Sequence, residues 1–109
     1  MLLAGDEMQI ENIQKLCDDR KIKWSMHAAL RMQNRNISRA DVINCIMSGE
    51  IIEDYPSDHP FPSCLVFGYS ISGTILHVVV GNADDEIYII TAYYPDNIKF
   101  NDDLKTRRN

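Results

Sequence analysis

A chain of 109 residues, 45% hydrophobic and 25% charged, suffices for one domain with a real core and is too short for two of ordinary size. That balance excludes disordered and collagen-like chains. Eleven Lys and Arg against sixteen Asp and Glu give a net charge of -5, which argues against a general nucleic-acid binder.

No apolar run approaches the roughly 18 to 20 residues that cross a bilayer. The opening residues carry neither a charged n-region nor a long apolar h-region, so a secretory signal is not expected. Cys17, Cys45 and Cys64 are odd in number, widely spaced and without a C-x-x-C pair. They predict no disulfide framework, no disulfide-linked partner, and a cytoplasmic location.

In chain order, Ile10, Ile13, Leu16 and Cys17 recur at helical spacing and predict a helix over 6–19, with Asp6 as N-cap and Gln9 as its capping-box partner. Lys21-Ile22-Lys23-Trp24 alternates and suits a short edge strand. Ser25 caps a second helix to about Asn34, with Asn36 as its stop. Ser38-Arg39-Ala40-Asp41 is another capping box, opening a third helix that buries Val42, Ile43, Ile46 and Met47 and ends at Gly49 as a left-handed cap. The period then changes to two. Strands are expected at 50–55, 64–70, 74–81 and 86–94, separated by a Pro-rich loop at 56–63, a tight turn at Ser72-Gly73 and a polar turn at 82–85. The tail 101–109 has no periodicity and is expected to fray. The reading is a single α+β domain, core about 6–100. Three N-terminal helices pack on one face of a four- to five-stranded antiparallel meander whose other face stays open.

Charge is unevenly placed. Residues 20–39 hold six bases and no acid, and residues 40–96 hold nine acids and no base. A segregated basic element is either the footprint of an anionic ligand or acidic partner, or simply a solvated helix face. His27, Arg31 and Arg35 lie at i, i+4 and i+8 and form one stripe on the second helix, drifting about 40° per step. Met26, Ala29, Leu30 and Ile37 on the neighbouring face are expected in the core. Like charges at this spacing repel unless something anionic lies opposite, a phosphate or this chain's own carboxylates.

His77 lies between Ile75 and Val79 on its strand face, which fits either a satisfied core histidine or a catalyst tuned by burial. Thr91 and Tyr93 share a face of the last strand with Ile87 and Ile89; Tyr88, Ile90, Ala92 and Tyr94 take the other. Tyr55 ends the first long strand, and His59 in the Pro-rich loop reads as a solvent-exposed spectator. No phosphate-cradling Gly-rich loop, H-E-x-x-H, EF-hand or G-x-S-x-G occurs, and His and Cys are scattered without metal-ligand spacing. No metal or other cofactor is expected.

Several stretches together are similar to one family: Trp24-Ser25-x-His27-Ala28-x-x-Arg31-Met32-x-x-Arg35-x-Ile37-Ser38, then Val42, Gly49-Glu50-Ile51-Ile52-Glu53-x-Tyr55-Pro56, Pro62-Ser63-Cys64-Leu65-Val66-x-Gly68, Leu76-His77-Val78-Val79 and Ile90-Thr91-Ala92-Tyr93-x-Pro95-Asp96. Over about residues 22–100 the chain resembles the bacterial domain of unknown function 4258 family. That family is similar to the small toxins of toxin–antitoxin modules, grouped with barnase/RelE-like ribonucleases. The resemblance implies a RelE-like or barnase-like α+β fold, RNA or the ribosome as target, and a cognate antitoxin as partner. It points to His27, His77, Arg31 and Tyr93 as catalytic and to Arg35, Thr91 and Tyr55 as substrate-binding. The chain departs from such toxins in being acidic.

Two functions follow as expectations. The first is a type II toxin acting as a metal-independent endoribonuclease, in which a ribose 2′-hydroxyl attacks the adjacent phosphate. His77 or His27 would supply acid and base, and Arg31 and Arg35 would clamp phosphate. The second is a non-catalytic interaction module that docks an acidic partner through the basic second helix. Either way the charge pattern implies a small, local anion site rather than broad phosphate binding.

Overall fold

Period-two alternation in the second half of the chain gives every strand one apolar face, and three amphipathic helices supply what covers it. The computed structural model describes residues 8–109. It runs α1 (Ile10–Asp18), β1 (Ile22–Trp24), α2 (Met26–Asn34), α3 (Arg39–Ser48), β2 (Glu50–Tyr55), β3 (Ser63–Tyr69), β4 (Ile75–Ala83) and β5 (Glu86–Tyr93). Among the described residues no helix is long and apolar enough to cross a membrane. Cys17, Cys45 and Cys64 are buried and unpaired.

The five strands form one sheet in the order β1-β5-β4-β3-β2. β2 to β5 are antiparallel neighbours, but β1 lies parallel to β5, with Ile22 opposite Ile87 and Trp24 opposite Ile89. The sheet is therefore mixed rather than wholly antiparallel. The reason is topological: two helices and three strands separate β1 from β5, and the last strand of the meander comes to lie alongside β1 in the same direction.

Local chemistry sets the helix ends. The Ser38 hydroxyl and the Asp41 carboxylate cap α3 reciprocally, as a capping box. Asn36 adopts φ 58° beyond α2, where the Ile37 N–H donates to Met32 O at 2.8 Å and the Asn36 N–H to Gln33 O at 3.2 Å. This is a Schellman closure with asparagine in the left-handed position. The α1 helix starts at Ile10, where its periodicity begins and later than the expected span of 6–19, with Gln9 as N-cap and no side-chain capping bond; Asp6 lies outside the described residues. Gly49 is extended (φ -103°) rather than left-handed. Its role is close packing, because a Cβ there would lie 2.4 Å from Cys45 O and 2.7 Å from Phe67 O.

The helices cover one sheet face. Ala28, Met32, Val42, Cys45 and Ile46 pack on Cys64, Val66, Leu76, Val78, Val80, Ile87, Ile89 and Ala92. The core face of α2 is Ala28 and Met32. Met26 and Leu30, expected inside, are 81% and 55% exposed. At about 100° per residue these two point nearly opposite the Ala28–Met32 line, so a helix seated on that line turns them to solvent.

A bulge corrects the reading of β5. The pairing skips Ile90, between Val80↔Ile89 and Val79↔Thr91. Ile87, Ile89 and Ala92 thereby face the helices, while Tyr88, Thr91 and Tyr93 face the other way and Ile90 is exposed.

The second sheet face is not open. Residues 97–108 fold back across it as a hairpin, with Phe100 bridged to Arg107, the Asn101 N–H donating to Thr106 O at 2.7 Å and the Arg108 N–H to Lys99 O at 3.0 Å. Phe100 is 2% exposed, and Leu65 and Phe67 on the same face are buried. The segment read as a fraying tail, 101–109, is thus the return arm of a hairpin whose other arm brings Phe100 into a second, smaller apolar layer.

Candidate functional site

β4 places His77 at the centre of this second layer. It is fully buried. Its Nε2 lies 2.7 Å from Leu104 O and its Nδ1 3.2 Å from the Tyr93 hydroxyl. A carbonyl only accepts, so Nε2 carries the proton and Nδ1 accepts from Tyr93. Phe67, Tyr93 and Phe100 meet the imidazole edge to face, at centroid distances of 5.9, 5.3 and 4.7 Å. Burial holds the His77 pKa below 6.5, opposed by its bond to Leu104 O and by the Glu53 carboxylate. Burial likewise raises the Tyr93 phenol.

Glu53, on the same face of β2, receives Arg107 bidentately: Nε to Oε2 at 2.8 Å and Nη2 to Oε1 at 3.1 Å. The Tyr55 hydroxyl also donates to Glu53. Burial works to raise the Glu53 pKa, but the Arg107 and Tyr55 hydrogen bonds and the Arg107 charge hold it below its ordinary value. Burial and the bond to Glu53 push the Tyr55 phenol up to about 12, so it stays protonated and donating. The Arg107 guanidinium is also laid over the Phe100 ring, 4.8 Å from its centroid.

Beside this layer is a groove of about 540 Å³ lined by Arg35, Tyr93, Tyr94, Asp96, Lys99 and Arg107, with Pro95 and Phe100. Arg35 enters it from the end of α2, its Nη1 donating to Ala92 O at 2.8 Å and to Thr91 Oγ1 at 3.3 Å. Asp96 Oδ1 accepts from the backbone N–H groups of Ile98 and Lys99 and so shapes the turn that carries Lys99. Three cations thus surround one groove. Arg107 is paired to Glu53; among the described residues Arg35 and Lys99 have no ion-pair partner.

Of the residues singled out from sequence, Arg35, Thr91, Tyr93 and His77 come together at or directly behind the groove. Tyr55 joins them through Glu53 and Arg107. His27 and Arg31 do not. Both are exposed on α2, on the side of the sheet opposite His77, and neither pairs with a described carboxylate. The 40° drift of the stripe explains the split, since each step toward Arg35 turns the side chain nearer the sheet. His59 is exposed. Sequence reasoning missed Glu53, Lys99, Phe100 and Arg107. Three of these lie at or near the aperiodic tail, where the concentration of four bases in residues 97–109 was the available signal.

No curated protein and no solved structure matches the chain. One family model matches, over residues 24–94, which takes in α2, His77, Tyr93 and Tyr94 but stops short of Asp96, Lys99, Phe100 and Arg107. The match covers well over half of the chain, and the chain belongs to that family, Domain of unknown function (DUF4258).

Proposed function

We propose that this protein is a metal-independent endoribonuclease of the toxin–antitoxin type, acting in the cytoplasm, and that the groove of Arg35, Tyr93, Lys99 and Arg107 is where it meets RNA. The observation that carries the reading is Tyr93: the residue lines the cationic groove, and its hydroxyl touches a neutral, Nε2-protonated histidine. The resemblance to barnase/RelE-like toxins supplies the reaction class, and the groove supplies groups able to perform it.

The 2′-hydroxyl gives its proton to the Tyr93 oxygen as the Tyr93 proton passes to His77 Nδ1. The resulting imidazolium is held by Leu104 O and faces the Glu53 carboxylate. The 2′-oxygen–phosphorus bond forms, the phosphorus–5′-oxygen bond breaks, and the Lys99 ammonium protonates the leaving oxygen. Arg35 and the outward side of Arg107 balance the charge that builds on the phosphoryl oxygens. The products are a 2′,3′-cyclic phosphate and a 5′-hydroxyl. In this scheme Arg35 and Tyr93 keep the roles their sequence positions suggested, His77 acts through Tyr93, Thr91 positions Arg35, and His27 and Arg31 take no part.

The experiment is RNA cleavage by purified protein in EDTA, with product ends mapped, for the wild type and for Lys99→Ala and Tyr93→Phe. Cyclic-phosphate ends that vanish in both variants support the proposal. Cleavage that requires added metal, or that survives both substitutions, overturns it.

A further inference from the structure

The outward face of α2 takes no part in the groove, and its composition is unusual. Met26 is 81% exposed and Leu30 55%, one turn apart. His27 and Arg31 flank them along one margin, also exposed. Lys21 and Lys23 alternate with the core-packed Ile22 and Trp24 on β1 and turn to the other sheet face, Lys23 pairing with Glu86 at 3.9 Å, so the basic margin of this seat is His27 and Arg31. No acid lies between residues 20 and 39. An isolated exposed leucine or methionine is ordinary. Two stacked one turn apart beside His27 and Arg31 make an amphipathic seat.

We propose that this face docks an acidic amphipathic helix of a partner protein. Its apolar stripe would lie on Met26 and Leu30, and carboxylates along one margin would meet His27 and Arg31. RNA fits less well, because phosphates gain nothing from the thioether and the isobutyl group. An anionic membrane fits less well, because residues 40–96 carry nine acids and no base, and a chain of net charge -5 is repelled as it approaches. A second copy docked symmetrically on the same face would bring the same cations into contact. The proposal is independent of the groove chemistry, since α2 packs on the opposite face of the sheet from His77.

The test uses the full chain and a labelled 16-residue probe peptide of Leu, Glu and Ala, with leucines at helical i, i+3, i+4 and i+7 spacing, followed by fluorescence anisotropy. The comparison probes are the same composition with the leucines spread around the helix, an oligouridine, and phosphatidylserine vesicles. The amphipathic peptide is expected to bind at least tenfold more tightly than its scrambled form. Leu30→Glu and Arg31→Glu should each weaken it at least tenfold, with an unchanged circular dichroism spectrum, and Lys99→Ala should leave it unchanged. Equal binding of the two peptides, no binding by either, or indifference to Leu30→Glu overturns the proposal. So does Leu30-dependent binding of oligouridine or vesicles that exceeds the peptide's. A loss of peptide binding in Lys99→Ala would place the peptide in the groove and also overturn it. Failure of RNA cleavage leaves every one of these readouts intact.

Discussion

His77 Nε2 donates to Leu104 O across 2.7 Å, tying the middle of the sheet to a hairpin 27 residues further on. The bond fixes the tautomer and leaves Nδ1 as acceptor. It also links stability to pH. Burial holds the folded-state pKa below 6.5, so the unfolded chain takes up a proton first as pH falls. The contribution is constant above about pH 7, where both states are neutral. It is lost as pH drops through 6.5 toward the folded value. The urea midpoint should fall between pH 7 and 5, and His77→Gln should remove that part of the slope. Glu53, whose folded pKa is lowered, acts in a separate window beneath its ordinary 4.5. An unchanged slope in His77→Gln would show that the imidazole is not the titrating group.

Tyr93→Phe keeps the ring against His77 and removes only the hydroxyl bonded to the imidazole. Cleavage should fall about 100-fold or more, the usual range for losing a positioned proton acceptor. Stability should fall by only about 1 kcal/mol, since one hydrogen bond to a neutral partner is lost. Single-turnover kinetics beside a urea titration separates the two effects.

Phe100 is the apolar anchor of the C-terminal hairpin and meets His77 at 4.7 Å. Phe100→Ala should cost about 3 kcal/mol, as for other buried aromatic truncations. It should also dismantle the groove wall that carries Lys99. Arg107→Ala removes a half-exposed ion pair and should cost about 1 kcal/mol. Chemical denaturation with limited proteolysis near residue 100 would read both. A smaller effect for Phe100→Ala than for Arg107→Ala would show that charge, not packing, holds the hairpin.

The glycines differ sharply in what they tolerate. A Cβ at Gly68 would lie 2.1 Å from Cys45 O, and the obstructing atom is backbone of α3. Gly68→Ala should therefore cost at least about 3 kcal/mol, because α3 must lift from β3. Gly73 has φ 87° and open space around it. Gly73→Ala should cost about 1 kcal/mol, from conformation alone. Similar thermal midpoints for the two variants would contradict this account of helix–sheet contact.

Elements set by local chemistry were legible in the amino-acid order. The Ser38–Asp41 box, the Asn36 stop and the alternation of β3 and β4 stand as read. Features decided by tertiary packing were not. α2 carries apolar residues on two sides, and only contact with the sheet selects Ala28 and Met32 over Met26 and Leu30. The β5 bulge shifts Thr91 and Tyr93 to the other face through one unpaired residue, Ile90, which has no sequence signature of its own. The C-terminal hairpin is held by one bridge, by Phe100 and by single contacts at Leu104 and Arg107, too few positions to show a period. Lys99, Phe100 and Arg107 of the groove were consequently invisible, while Arg35 and Tyr93 in it and His77 behind it are residues that the sequence also singles out.

The brevity of β1 has a bearing on solubility. It pairs only with Ile87–Ile89, so β5 runs on from Thr91 to Tyr93 with its outer rim unmatched by any strand among the described residues. The Arg35 guanidinium occupies that rim, bonded to Ala92 O. A long cation on a bare strand margin is a barrier to intermolecular sheet growth. Loss of Arg35 would thus leave an adhesive ribbon beside the groove, and self-association would accompany the substitution.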